Sequence, residues 1–256
     1  MRPLIGRIGG KFNLKHLIIP KLPHHDIYIE PFLGSGAIFF NKKKARISIL
    51  SDLDEIVYET FCYLKSVNPN EEFEGCEPFK EQLEYFVNEK EHFTIMDRLY
   101  KNLIIHGATF SSKAMKNKSG KYVLYDRKKR GVNVEHKIKN RLKETQESLK
   151  DTLILNEDYK NIIKKFDGKD SLFFLDPPYE NSKRIYKNEK FDFSEFRDIL
   201  KNIKGKFFLT INSSDYLKDL FKDFYIEEVS VNSFGTYAIG KEIRKELFIT
   251  NYVITS

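Results

Sequence analysis

Cysteine is scarce in this chain, tryptophan is missing altogether, and no apolar run is long. Each shortage removes a class of answers. Cys62 and Cys76 are too few for a disulfide framework and have no CxxC partner, which argues against a structural zinc site. The six histidines, His24 and His25 among them, show no HExxH or comparable spacing, so no metal is expected. No stretch approaches the roughly 18 to 20 apolar residues that span a bilayer, and the first residues lack the apolar centre of a signal peptide. The reading is a soluble chain of the cytoplasm with no membrane partner. Internal repeats and low-complexity tracts are absent too, and the densest charge run is Arg127-Lys128-Lys129-Arg130.

What is present is a length of 256 residues, with 22 Phe and 14 Tyr. That is enough bulk to form a real core and offset the entropy lost on folding. Lys and Arg number 44 against 37 Asp and Glu, a formal charge of +7 that favours an acidic partner such as a nucleic acid or an anionic membrane surface.

Short apolar runs bounded by turn residues alternate with helical stretches, the pattern of an α/β sheet with crossover helices. Strands are expected at Asp26–Glu30, Arg46–Leu50, Thr152–Leu155, Ser171–Leu175, Lys206–Ile211, Tyr225–Val231 and Leu247–Val253. Ala37-Ile38-Phe39-Phe40 reads as the start of an apolar helix. Asp54 is a candidate N-cap for a helix whose Ile56, Val57, Phe61 and Leu64 share a face that should pack on the sheet. From about Asn68 to Lys150 charged helical segments replace buried strands. The expected organisation is therefore a catalytic domain formed by residues 1–66 and 151–256, interrupted by an inserted, mostly helical domain at 67–150.

Asp176-Pro177-Pro178-Tyr179 follows the apolar run Leu172–Leu175, so it falls at the carboxyl end of a buried strand, where open α/β sheets bind ligands. The prolines fix φ and carry no N–H, which leaves the carbonyls of this segment as rigid acceptors. Adenine's amino nitrogen is a poor nucleophile because its lone pair is delocalised. A carboxylate at Asp176 and the carbonyl of Pro177 could accept one amino hydrogen each and redirect that pair, with Tyr179 stacking on the base. A plain strand-ending turn uses the same residue types. Glu30-Pro31-Phe32-Leu33-Gly34-Ser35-Gly36 also follows a strand, and its glycines permit close approach of a small molecule. Asp52, at the end of the next strand, is placed to accept from both ribose hydroxyls of a nucleoside, although a glycine turn beside an ordinary Asp cap would read alike.

With Gly9-Gly10-Lys11, Phe32–Gly36, Asp52, Asn156–Tyr159 and Asp176–Tyr179 together, the chain resembles the Dam-type adenine-specific DNA methyltransferases over most of its length. The resemblance implies a Rossmann-like methyltransferase sheet carrying an inserted target-recognition domain, S-adenosylmethionine as cofactor and double-stranded DNA as partner. It implies that Lys11, beside Gly10, reaches the methionine carboxylate, that Glu30, Phe32, Gly34 and Gly36 line the cofactor loop, and that Asp52 holds the ribose. It implies further that Asp158 and Tyr159 meet the cofactor's adenine, and that Asp176 faces both cofactor and base, with Pro177, Pro178 and Tyr179 completing the catalytic segment. The chain departs from the family at Arg7, where an aromatic residue usually stands; a guanidinium can stack on a planar group in its place.

Lys113, Lys116, Asn117, Lys118, Lys121, Arg127, Lys128, Lys129 and Arg130 interleave with Tyr122 and Tyr125, as a DNA-contacting hairpin or a solvated loop would. Lys183, in a segment that could order over an extruded base, and Lys241 and Arg244 near the C-terminus are further DNA contacts by this reading. A companion restriction endonuclease and a monomeric or weakly dimeric state complete the expectations. The alternatives are amino methylation of cytosine or of RNA adenine, and a catalytically silent DNA-binding module that keeps the fold.

Overall fold

The computed structural model describes residues 1–5, 10–70, 80–92, 94–108, 116–124, 134–179, 191–233 and 242–254. In chain order its elements are α1 (Lys15–Ile18), β1 (Ile27–Glu30), β2 (Ile47–Ser51), α2 (Glu55–Ser66), α3 (Lys80–Asn88), α4 (Ile95–Ala108) and α5 (Val134–Leu149). They continue with β3 (Thr152–Leu155), α6 (Tyr159–Phe166), β4 (Ser171–Leu175), α7 (Phe193–Lys201), β5 (Lys206–Asn212), α8 (Asp215–Leu220), β6 (Tyr225–Ser233) and β7 (Glu242–Thr250). The seven strands form one sheet in the order β3-β2-β1-β4-β5-β7-β6, so the expected α/β, Rossmann-like architecture is present. Among the described residues no helix is long and apolar enough to cross a membrane.

By its contacts the chain forms two compact units. One comprises Leu14–Leu33, Ala45–Ser51 and Glu157–Ser256. Its strands β1, β2, β4 and β5 run parallel, with Ile29 beside Ile49 and Phe173, and Leu175 beside Leu209. β4 is buried at all five positions, as a central parallel strand flanked on both faces must be. Strand order reverses between β1 and β4, which makes their carboxyl ends a topological switch point, the usual place for a ligand.

At the far side β7 runs antiparallel to both β5 and β6. It starts earlier than the apolar run predicted, because Glu242–Glu246 pair with β6. It also stops earlier, at Thr250. The Asn251 carboxamide then accepts from the Phe207 N–H at 3.0 Å and donates to the Gly205 carbonyl at 2.9 Å, replacing strand pairing with side-chain bonds.

The other unit comprises Met1–Asn13, Gly34–Lys44 and Asp52–Asn156. Its centre is α2, capped by Asp54, whose carboxylate accepts from the Ile56 N–H at 3.1 Å. Val57, Thr60, Phe61 and Leu64 are its buried face, and Ile56 is only half-buried. The helix packs on α4, α5 and β3. Its apolar stripe therefore serves the helices of the segment that follows it, not only a strand. α5 buries Ile138, Leu142, Thr145 and Leu149, the spacing of one helical face.

Ala37–Phe40 form successive turns and not a helix. Asn41 explains the difference: its side-chain Nδ2 donates to the Ala37 carbonyl at 2.9 Å, the acceptor its own N–H would use in a helix, and its N–H goes to Ile38 instead.

Candidate active site and cofactor loop

The two chemical segments leave the carboxyl ends of strands, as the sequence pattern required. After β1, Gly34 and Gly36 adopt φ of 50° and 66°, the left-handed region that side chains resist. A Cβ on Gly36 would lie 3.0 Å from the Phe40 ring and 3.2 Å from that of Phe61. The Gly34 N–H donates to Asp52 Oδ2 at 2.8 Å, and the Asp54 N–H donates to Oδ1 at 2.9 Å. Asp52 is itself tethered, its carbonyl accepting from Asn156 Nδ2 at 2.7 Å. One carboxylate thus organises both the glycine loop and the approach to α2. Lys11, at the start of a short 3-10 helix, is 3 % exposed, an unusual burial for a lysine. Gly10 is exposed and Arg7 lies outside the described residues.

At the end of β1, Glu30 is 3 % exposed and accepts from the Tyr28 hydroxyl at 2.8 Å on the same strand face. Burial, reinforced by the nearby Glu30 charge, holds the Tyr28 phenol far above its ordinary range. Phe32, just beyond, packs against Tyr159, Phe191 and Phe196 with ring centroids 5.4, 6.0 and 6.2 Å apart. Tyr159 is buried in this cluster, and desolvation pushes its hydroxyl well up. Asp158 caps α6, its Oδ1 accepting from the Lys160 N–H at 2.9 Å. The carboxylate expected to meet a cofactor's adenine therefore also starts the helix that carries Tyr159.

Asp176 follows β4 directly. Its Oδ1 accepts from the Thr210 hydroxyl at 3.1 Å. Pro177 is buried, Pro178 and Tyr179 half-buried. The Tyr179 hydroxyl donates to Glu246 Oε1 on β7 at 2.8 Å. Neither partner was predicted from the sequence. Thr210 is a lone polar residue in the run Phe207-Phe208-Leu209-Thr210-Ile211, a faint signal that does not name its partner, whereas Glu246 carried none.

Among the expected DNA contacts, Lys116, Asn117, Lys118 and Lys121 are exposed in a hairpin bridged antiparallel between Lys116 and Tyr122. Its turn is organised by Asn117, whose Oδ1 accepts from the Ser119 and Lys121 N–H groups at 3.0 Å each. The hairpin is seated by Asn88, which accepts from the Tyr122 N–H at 2.7 Å and donates to the Tyr122 carbonyl at 3.1 Å. Lys116 lies over the Tyr122 ring at 4.7 Å, and Lys121 pairs with Glu89. Arg244 is exposed, and it lies within β7 and not in a loop. Lys113, Tyr125, Arg127, Lys128, Lys129, Arg130, Lys183 and Lys241 fall outside the described residues. No group of three or more His, Cys, Asp or Glu is placed to hold a metal among the described residues.

Two relatives match the chain end to end. The type II methyltransferase M1.LlaDCHI of Lactococcus lactis subsp. cremoris is 24% identical over an aligned 280 residues, covering 98% of this chain and 96% of its own. The type II methyltransferase M.CviBI of Paramecium bursaria Chlorella virus NC1A is 26% identical over 268 residues, covering 99% of each. Among solved structures, a conserved hypothetical protein of Streptococcus pyogenes aligns over 96% of this chain and 98% of its own, with a TM-score of 0.42 and 12% identity. The model of the D12 class N6 adenine-specific DNA methyltransferases matches residues 8–233, nearly the whole chain, and the protein belongs to that family.

Proposed function

We propose that methyl transfer from S-adenosylmethionine to the N6 amino group of adenine in DNA, the reaction of the family, is performed here by Asp176, Pro177 and Tyr179. The observation that carries this assignment is Asp176 at the carboxyl end of β4, beside the switch point, with its carboxylate already oriented by Thr210. The Asp176 carboxylate and the Pro177 carbonyl accept the two amino hydrogens. The nitrogen becomes pyramidal and its lone pair turns toward the incoming methyl. Tyr179 stacks on the base, and the amino group releases one proton after transfer.

S-adenosylmethionine, when bound, supplies a methyl group on a positively charged sulfur. The residues present suit it. Gly34 would let the cofactor approach the loop backbone, Gly36 lets that loop pack on Phe40 and Phe61, Asp52 would accept from the ribose hydroxyls, and Lys11 would hold the methionine carboxylate. Asp158 and Tyr159 would hold its adenine, and Phe32 packs against Tyr159. The target base sits inside a duplex, so it must be extruded before Tyr179 can stack on it. Residues 67–150 select the site, with Lys116, Lys118 and Lys121 neutralising phosphate. The relatives' type II naming supports pairing with a restriction endonuclease of the same target sequence.

The test is transfer of labelled methyl groups from S-adenosylmethionine to unmethylated genomic DNA, with nucleoside analysis of the product. The wild type yields N6-methyladenine and Asp176→Ala yields none. Methylcytosine in the product, or equal transfer by Asp176→Ala, would refute the assignment.

A further inference from the structure

We propose that Thr210 is a positioning residue for methyl transfer, holding the Asp176 carboxylate in the orientation that accepts the adenine amino hydrogen. The inference rests on the catalytic assignment of Asp176 made above.

Thr210 sits on β5, where Leu209 pairs with Leu175 of β4, so it is the residue next to the chain as it leaves β4 for Asp176. It is fully buried between Leu209 and Ile211, both also fully buried. A buried hydroxyl is unfavourable unless it is hydrogen-bonded, and valine would fill the same space without that cost. The hydroxyl therefore has work that the core does not require of it. It carries one hydrogen and faces two acceptors: Asp176 Oδ1 at 3.1 Å and the Leu175 carbonyl at 3.4 Å. The shorter contact goes to the charged group, and hydrogen bonds to an ionised acceptor are the stronger kind. The second contact is to the last residue of β4. Carbonyl and carboxylate are thus both addressed from one rigid, fully buried position.

The consequence concerns Asp176 rotation. The carboxylate follows directly on a strand, and its neighbour Pro177 has no N–H to offer it. From the adjacent strand Thr210 donates a bond that fixes one oxygen. A side chain so fixed loses little freedom when the base arrives, which is where preorganisation contributes to rate.

Wild type, Thr210→Val, Thr210→Ser and Asp176→Asn are compared for methyl transfer to unmethylated genomic DNA, with melting temperature measured in parallel. Thr210→Val is expected to lower kcat about tenfold or more, the size of a lost bond to a charged group, with both KM values within about twofold. Thr210→Ser keeps the hydroxyl and restores kcat to within about threefold of wild type. If Thr210→Val does not fold, Thr210→Ala removes the same hydroxyl and is held to the same expectation. Wild-type kcat in Thr210→Val alongside an inactive Asp176→Asn overturns the inference and leaves the catalytic assignment standing. Equal losses in Thr210→Val and Thr210→Ser overturn it also, because packing would then be the cause. Full activity in Asp176→Asn overturns the assignment itself.

Discussion

The loop after β1 and the segment after β4 both leave the carboxyl end of a strand, yet they are fixed by different means. The first is held through its backbone: Gly34 donates its N–H to Asp52, and Leu33 donates to the Ser51 carbonyl at 3.0 Å. The second has no N–H at Pro177 or Pro178 and is held through side chains, Asp176 by Thr210 and Tyr179 by Glu246. The difference suits the tasks proposed for them. A loop that must let a ligand approach its backbone does best without side chains, so its rigidity comes from a nearby carboxylate. A segment whose side chain and carbonyls perform chemistry needs those groups aimed, and other strands aim them.

That contrast can be broken most forcefully at Gly36. Gly36→Ala places a side chain at φ of 66° and drives its Cβ into the rings of Phe40 and Phe61. A loss of about 2–4 kcal/mol is expected from left-handed strain plus overpacking, read from urea unfolding. A loss under about 0.5 kcal/mol would mean that the loop yields, and that backbone fixation is weaker than described.

Tyr179→Phe sharpens the other side. It keeps the ring and removes the bond to Glu246, and kcat should fall about fivefold with the melting temperature nearly unchanged. Glu246→Ala should match it, and the double variant should lose no more than either single one. Additive losses would show that the two side chains act independently.

The smallest effect is at the surface, at Glu228 on β6. Glu228 pairs with Lys218 and Lys245 and accepts from Ser213 at 2.6 Å, and those bonds lower its carboxyl pKa to about 2. A carboxyl depressed on folding stabilises the protein above its ordinary value near 4.5 and ceases to do so as pH falls through about 2. Solvent screening of a surface ion pair keeps the contribution small. Glu228→Gln should therefore melt slightly below wild type at pH 6, with the gap closing between about pH 4.5 and 2. A gap that persists at pH 2 would point to packing in place of charge.

Legibility from sequence followed the same divide. The seven strands among the described residues were readable, because short apolar runs, continuous as in β4 or alternating as in β6, bounded by turn residues have few other uses in an α/β chain. Asp54 was readable because a helix and its capping carboxylate are local. The ends of β7 were not, since Asn251 closes the strand by bonding to residues 44 and 46 positions away. Thr210 and Glu246 were hidden for that reason too, lying 34 and 67 positions from the groups they hold. The apolar stretch Ala37–Phe40 misled because the pattern sees hydrophobic spacing and not the Asn41 amide that competes for a carbonyl. The stripe of α2 identified a buried face but not its partners, α4 and α5, since any apolar surface would have served.

Asn88 gives the hairpin at Lys116–Leu124 a seat that does not belong to it. Its carboxamide makes with Tyr122 the same pair of bonds, one accepted and one donated, that a residue on a neighbouring strand would make. Exchange of Lys116 or Lys118 for another side chain leaves both bonds intact. The outward residues of the hairpin can therefore be exchanged while its attachment stays constant, so the chemistry of this surface is separable from its fold.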